Sequence, residues 1–264
     1  MSTLSKNHWM NFAVEHVELG EIDTPYILMA KAGEAYGDEW LERFALHYFL
    51  FYDLGGAARC AYDTGRFWKY VNDGYETCRR GTSRRHFRGE KGAMAVHNLC
   101  AHGDPGDVFA AMYQTTYAGL VHHLQSDFKG CEIGPYFAWK LMDVFDRCLG
   151  RPVRLSLPEA LKFLPDTPRK GAKSFFPDLA LIDSLTAVSR AIEHLPAPGA
   201  PGRNCGLPEA ETILCAIYGV NKGTYHVGDD IESRHSELKD FPELIAMLPP
   251  LQDWSQYANG PLES

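Results

Sequence analysis

The stretch DFKGCEIGPYFAWKLMDVFDRCLG, residues 127–150, decides the fold class. Gly130 and the Gly134-Pro135 pair bound a turn, and a helix starts at Gly-Pro. The helix is amphipathic from Tyr136 to Leu149 and stops at Gly150. A turn that leads into a helix N-terminus offers backbone N–H groups to an anion such as a nucleic-acid phosphate. Gly130, Gly134 and Pro135 are therefore candidate DNA-gripping residues, although a Gly-Pro helix start is also an ordinary turn. Within the helix, Asp143 and Arg147 lie four residues apart and share a face, with Trp139, Met142 and Asp146 nearby. Two readings remain open: a surface ion pair of small energy, or a carboxylate beside a reacting centre.

Outward from this unit, helical spacing recurs. Leu41, Phe44, Ala45, Tyr48, Phe49 and Tyr52 repeat as one helix between Asp38 and Leu54, broken at Gly55-Gly56. A second pattern runs from Ala57 to about Val71. Thr24-Pro25 and Asp104-Pro105 are helix starts, and Ser156 caps a short helix with Pro158 just inside it. Helical segments are also expected over 92–99, 117–124, 178–195 and 208–218. Arg151 to Leu155 reads as extended. Residues 1–20 show little pattern, 165–177 read as loops, 196–206 as an exposed linker or long loop, and the last 20 or so as irregular. No strand alternation or internal repeat is found. The sequence predicts an all-α protein, a single helical domain over 1–264 with a flexible loop near 196–206 and irregular termini.

Composition narrows the class. The chain has 264 residues, 45% of them hydrophobic, enough for a proper core. No apolar run approaches the roughly 20 residues that span a bilayer. The N-terminus lacks a signal-peptide core, so no membrane partner and a cytoplasmic location are expected. Seven scattered cysteines without a Cys-x-x-Cys pair argue against a zinc site or a disulfide framework.

The formal net charge is -8, yet residues 78–91 gather Arg79, Arg80, Arg84, Arg85, Arg88 and Lys91, with His86 among them and Glu90 alone opposing. A dense basic patch on an acidic chain is a local device for an anion. Arginine forks hold phosphate oxygens two at a time. A third dense region spans 206–231. Glu211 and Cys215 stand one helical turn apart there, and Lys222, His226, Asp229 and Asp230 follow in a glycine-containing loop suited to a small ligand. Cys215 reads as a core thiol or a nucleophile, whereas a carboxylate such as Glu211 on an apolar helix needs a partner.

Three segments together resemble the amino acid:DNA transferases of bacteriophages, also called α-glutamyl/putrescinyl thymine pyrophosphorylases. They are RGTSRRHFRG (80–89), Ile133-Gly134-Pro135 through Lys140 and Asp143, and EAETILC (209–215) with YHVGDDI (225–231). The resemblance covers about Phe44 to Ile231, and its first segment is the specific one. It implies ancestry shared with helix-hairpin-helix DNA glycosylases, and hence a glycosylase-like helical domain that flips a base. Those enzymes carry a catalytic aspartate about one helix beyond the hairpin. Here that region reads Val153-Arg154-Leu155, which argues against N-glycosidic cleavage.

The activity implied is a step in thymine hypermodification in phage DNA, within an infected host cell. Pyrophosphate on 5-(pyrophosphoryloxymethyl)uracil in DNA is replaced by an amino acid, glycine above all, or by another amine. Under that resemblance Arg80, Arg84, Arg85, His86, Arg88, Lys140 and Lys222 would bind pyrophosphate or DNA phosphate. Asp143, Glu211 or His226 would take the amine proton. Cys215 or Cys131 is a candidate nucleophile toward C6 of the uracil. No cofactor is required, with Mg²⁺ on the pyrophosphate an open alternative. The competing expectations are a glycosylase or lyase on a modified base and a non-catalytic DNA-binding partner of a base kinase.

Overall fold

A computed structural model describes residues 6–63, 65–76, 78–81 and 87–257. The described chain is all-α but for one small hairpin. In order, the helices are α1 (Lys6–Glu18), α2 (Thr24–Tyr36), α3 (Asp38–Phe51), α4 (Leu54–Tyr62), α5 (Phe67–Asp73), α6 (Gly89–Cys100), α7 (Pro105–Met112) and α8 (Tyr117–Ser126). They continue as α9 (Pro135–Arg147), α10 (Leu157–Phe163), α11 (Asp166–Phe175), α12 (Leu181–Ile192), α13 (Leu207–Asn221), α14 (Asp229–Glu237) and α15 (Pro242–Ile245). Among the described residues, no helix is long and apolar enough to cross a membrane.

Packing divides the chain into two compact units, each discontinuous in sequence. The first comprises 1–27, 155–236 and 248–264, and the second 28–154 and 237–247. In the first unit, α11 and α12 pack on α13, and α1 lies on α12. Gly171 makes the closest crossing: a Cβ there would sit 2.0 Å from the carbonyl oxygen of Leu214 on α13. In the second unit, α3 packs on α4, α7 and α9, and α8 packs on α9. Its core is aromatic, with Phe44, Tyr48, Phe49, Phe109, Phe137, Trp139 and Phe145 all buried. The short segment 237–247 stitches this unit together. The Glu237 carboxylate accepts the Leu54 N–H (3.0 Å), Asp240 pairs with Arg59 (2.7 Å), and Lys31 donates to the Met247 carbonyl (2.8 Å).

The expected helix starts at Thr24, Asp104 and Ser156 are all present. Ser156 and Glu159 form a reciprocal capping box, the Glu159 carboxylate accepting the Ser156 N–H at 2.8 Å. Arg154 is extended as expected and bridges Thr116 in parallel. Three local expectations are corrected. Residues 6–18 form α1, whose apolar side Trp9, Phe12, Ala13 and Val17 is buried. The stretch 165–177 holds α11, because Pro168 falls in the first turn, where N–H groups have no helical acceptor to lose. The expected linker at 196–206 pairs β1 (Pro196–Ala197) with β2 (Ala200–Asn204), antiparallel about Gly199 at φ 78°. Beyond the expected helices, α14 and α15 follow α13, and the described residues after α15 hold a 3-10 turn at Trp254–Gln256.

Candidate active site

The second unit carries the hairpin and the described part of the basic segment. Between α8 and α9 the chain makes one 3-10 turn over Lys129–Cys131, and Glu132 turns left-handed at φ 53°. Gly134 is the N-cap of α9 and Pro135 its first residue. Asn98 holds the turn by donating to the Gly130 carbonyl (2.7 Å), and the Tyr117 hydroxyl donates to the Pro135 carbonyl (2.8 Å). Asp143 is not on the surface. Its carboxylate lies 3.4 Å from Arg147 and 3.5 Å from Lys140, with side-chain exposures of 1%, 0% and 13%. Asp143 and Arg147 are thus an ion pair, but a buried one rather than the surface pair of the first reading, and Lys140 is bound up with it.

Arg80 is held from several sides. It donates to the carbonyls of Tyr75 (2.5 Å) and Cys78 (3.2 Å), and its guanidinium stacks over the rings of Tyr75 (4.7 Å) and Phe51 (5.3 Å). Arg88 is exposed and donates to the Gly81 carbonyl (3.3 Å). Arg84, Arg85 and His86 lie outside the described residues. Where the segment begins, a cavity of about 580 Å³ opens, lined by Arg59, Arg66, Lys69, Cys78 and Arg79 among others. The buried His47 lies behind Gly56 of its wall. A Cβ at Gly56 would be 2.8 Å from His47 Cε1. Burial lowers the His47 pKa to about 3, so the ring is neutral near pH 7. Its Nε2 is 3.9 Å from the Cys78 sulfur, while its Nδ1 has no hydrogen-bond partner among the described residues. Burial, opposed by Arg80, raises the Cys78 pKa, so the thiol is protonated near pH 7. Sequence reasoning missed His47, Arg59 and Arg66, which sit in or beside helical patterns of core residues and carry no motif.

The first unit builds a separate acidic cluster around residues 21–23. Glu21 is fully buried. Its carboxylate accepts the Tyr225 hydroxyl (2.6 Å) and the N–H groups of Asp230 (3.0 Å) and Ile231 (3.3 Å). Burial raises its pKa, and those hydrogen bonds offset part of the rise. Asp23 lies 3.4 Å from the Thr212 hydroxyl. Glu211 is buried on α13, and the Cys215 thiol donates to it (3.4 Å). His226 is exposed, and its backbone N–H donates to Asp229 (2.6 Å) at the start of α14. Lys222 lies over the Tyr218 ring at 5.9 Å. The 206–231 region is therefore drawn together, but around Glu21 and Asp23, which the featureless N-terminal sequence gave no reason to choose. Cys131 is buried and its thiol is pushed up to about 11, which makes it a weak nucleophile. Among the described residues, no group of three or more His, Cys, Asp or Glu could hold a metal ion.

No protein-family model matches the chain. Two phage proteins do. Over 257 residues the chain is 26% identical to the putrescinyltransferase of Delftia phage PhiW-14, covering 91% of this chain and 81% of that one. Over 256 residues it is 28% identical to the glycinyltransferase of Pseudomonas phage PaMx11, covering 83% and 87%. The chain is thus related to transferases. More narrowly, its relatives are the phage amine and amino-acid transferases, the group that its motifs resemble.

Proposed function

We propose that the protein transfers an amine or amino acid onto 5-(pyrophosphoryloxymethyl)uracil in phage DNA, releasing pyrophosphate. The observation that carries this is the pair of relatives. One is named for putrescine and the other for glycine, and each aligns with most of this chain. The two names differ in the amine, which suits a scaffold built around an activated base that different amines can attack. A basic segment on an acidic protein suits an electrophile whose leaving group is a polyanion. The hairpin before α9 suits a grip on the DNA backbone within a glycosylase-like, base-flipping scaffold.

In this reaction the neutral amine nitrogen bonds to the exocyclic methylene carbon as the C–O bond breaks. The electron pair leaves on pyrophosphate, and the amine proton passes to a base. Glu211 and His226 are the better-suited acceptors, because Asp143 is already committed to Arg147 and Lys140.

DNA bearing the modified base is incubated with glycine or putrescine, digested, and the nucleosides weighed. An adduct with stoichiometric pyrophosphate is expected. Absence of any adduct across a panel of amines overturns the proposal, and abasic sites would point instead to a glycosylase. Replacing Arg84 and Arg85 with Ala is expected to abolish turnover, and undiminished turnover removes them from the leaving-group site.

A further inference from the structure

The cavity at the head of the basic segment has the features of an anion site. Arg59, Arg66, Lys69 and Arg79 line it, against Asp63 and Asp73. These cations are held loosely. Arg59 pairs with Asp240, Lys69 pairs with Asp73, and the side chains of Arg59, Lys69 and Arg79 are all more than half exposed. Such pairs contribute little and exchange readily for phosphate oxygens. Arg79 stands 3.4 Å from Asp53, whose carboxylate is already engaged by the Gly56 N–H at 2.7 Å. Arg66 is exposed and forms no ion pair with any described residue. Asp63 in turn is turned inward on its own loop, where it accepts the Gly65 N–H at 2.8 Å.

The wall behind these cations is firm. Gly56 packs directly on the buried His47, since a Cβ there would fall 2.8 Å from His47 Cε1, so the cavity is closed on that side and its open space faces the cations.

We propose that this cavity seats the pyrophosphate group, with Arg66 and Arg79 as its principal grips and Arg59 and Lys69 as outer cations. The identity of the anion rests on the transferase reading, whereas the anion site itself does not. At about 580 Å³ the cavity has room for more than the leaving group alone.

The test is calorimetric titration of the full-length protein with inorganic pyrophosphate and, separately, with an unmodified thymine oligonucleotide. Saturable pyrophosphate binding is expected, weakened roughly tenfold or more by Arg66→Glu and by Arg79→Glu, each of which removes a charge-assisted contact. Arg190→Glu, on α12 of the first unit, is expected to leave it unchanged. Arg79 also touches Asp53, so Arg66→Glu is the variant that keeps the result independent of folding, checked by an unaltered melting temperature. No pyrophosphate binding, or binding that neither variant weakens, overturns the site. Loss of oligonucleotide binding alone assigns the cavity to DNA-backbone phosphate and overturns the pyrophosphate assignment. Pyrophosphate binding that depends on Arg66 and Arg79, in a protein with no transfer activity, leaves the site standing and removes the transferase reading.

Discussion

Asp143 and Arg80 illustrate how a charged side chain that reads as chemistry in one dimension becomes architecture in three. Asp143 sits between Lys140 and Arg147 with almost no solvent access. Removing one partner of a buried ion pair leaves the other charge uncompensated. Asp143→Ala is therefore expected to destabilise the protein by about 3–5 kcal/mol, measured by urea denaturation. A variant of near-native stability that lost transfer activity would instead return Asp143 to the chemistry. Arg80 uses its fork on two carbonyls and its flat faces on two rings, a combination unavailable to Lys. The identity of such residues was legible in the sequence. For Asp143 the partners Lys140 and Arg147 are helical neighbours that spacing allows, and what spacing left out is their burial; for Arg80 the Phe51 ring is brought by how the chain turns rather than by any local pattern. Glu21 is the extreme case: its three donors all lie more than 200 residues away.

At the level of elements, local chemistry and packing divide the work. Helices with a strong start signal, such as the Pro105 and Ser156 starts, were legible because their caps are satisfied within four residues. The polar α11 was not, since Gly171 and Pro168 read as loop residues until α13 is placed against them. Gly171 is what permits that approach. Gly171→Ala would drive a methyl into the Leu214 carbonyl, a backbone atom that cannot swing aside. The expected cost is about 1–3 kcal/mol in denaturant melts, beyond any gain in helix propensity. An unchanged midpoint would mean that α11 and α13 are further apart than described. The hairpin at 196–204 escaped notice for a related reason. Its strands are short and proline-rich, and their register is set by Gly199, whose Cβ position is 2.5 Å from the Tyr26 carbonyl oxygen.

At the scale of the whole molecule, each unit encloses one neutral histidine. Burial lowers His16 in the first unit and His47 in the second from about 6.5 to about 3. Between those values the unfolded chain binds more protons than the folded one. Their contribution is complete above about pH 6.5 and is lost as pH falls toward about 3. Glu21 and Asp53 act in the opposite direction. Burial raises both, so their contribution is greatest in acid and declines as pH rises through their raised values. Urea midpoints are expected to fall from pH 7 to pH 5, and the fall should be shallower in His16→Gln and His47→Gln. A fall of equal steepness in both variants would show that the histidines are not the acid-sensitive groups.

The interleaving of the two units has a consequence for how the protein is made. Each unit needs chain from near the end of the sequence, since 155–236 belongs to the first and 237–247 to the second. The ribosome must therefore deliver the chain through about residue 236 before the first core can close and through about 247 before the second can. Until Glu237 and Asp240 emerge, α4 lacks its acceptor for Leu54 and its partner for Arg59. A nascent chain stopped short of them carries two unfinished cores, so premature termination should yield aggregation or degradation rather than a half-protein with one working site.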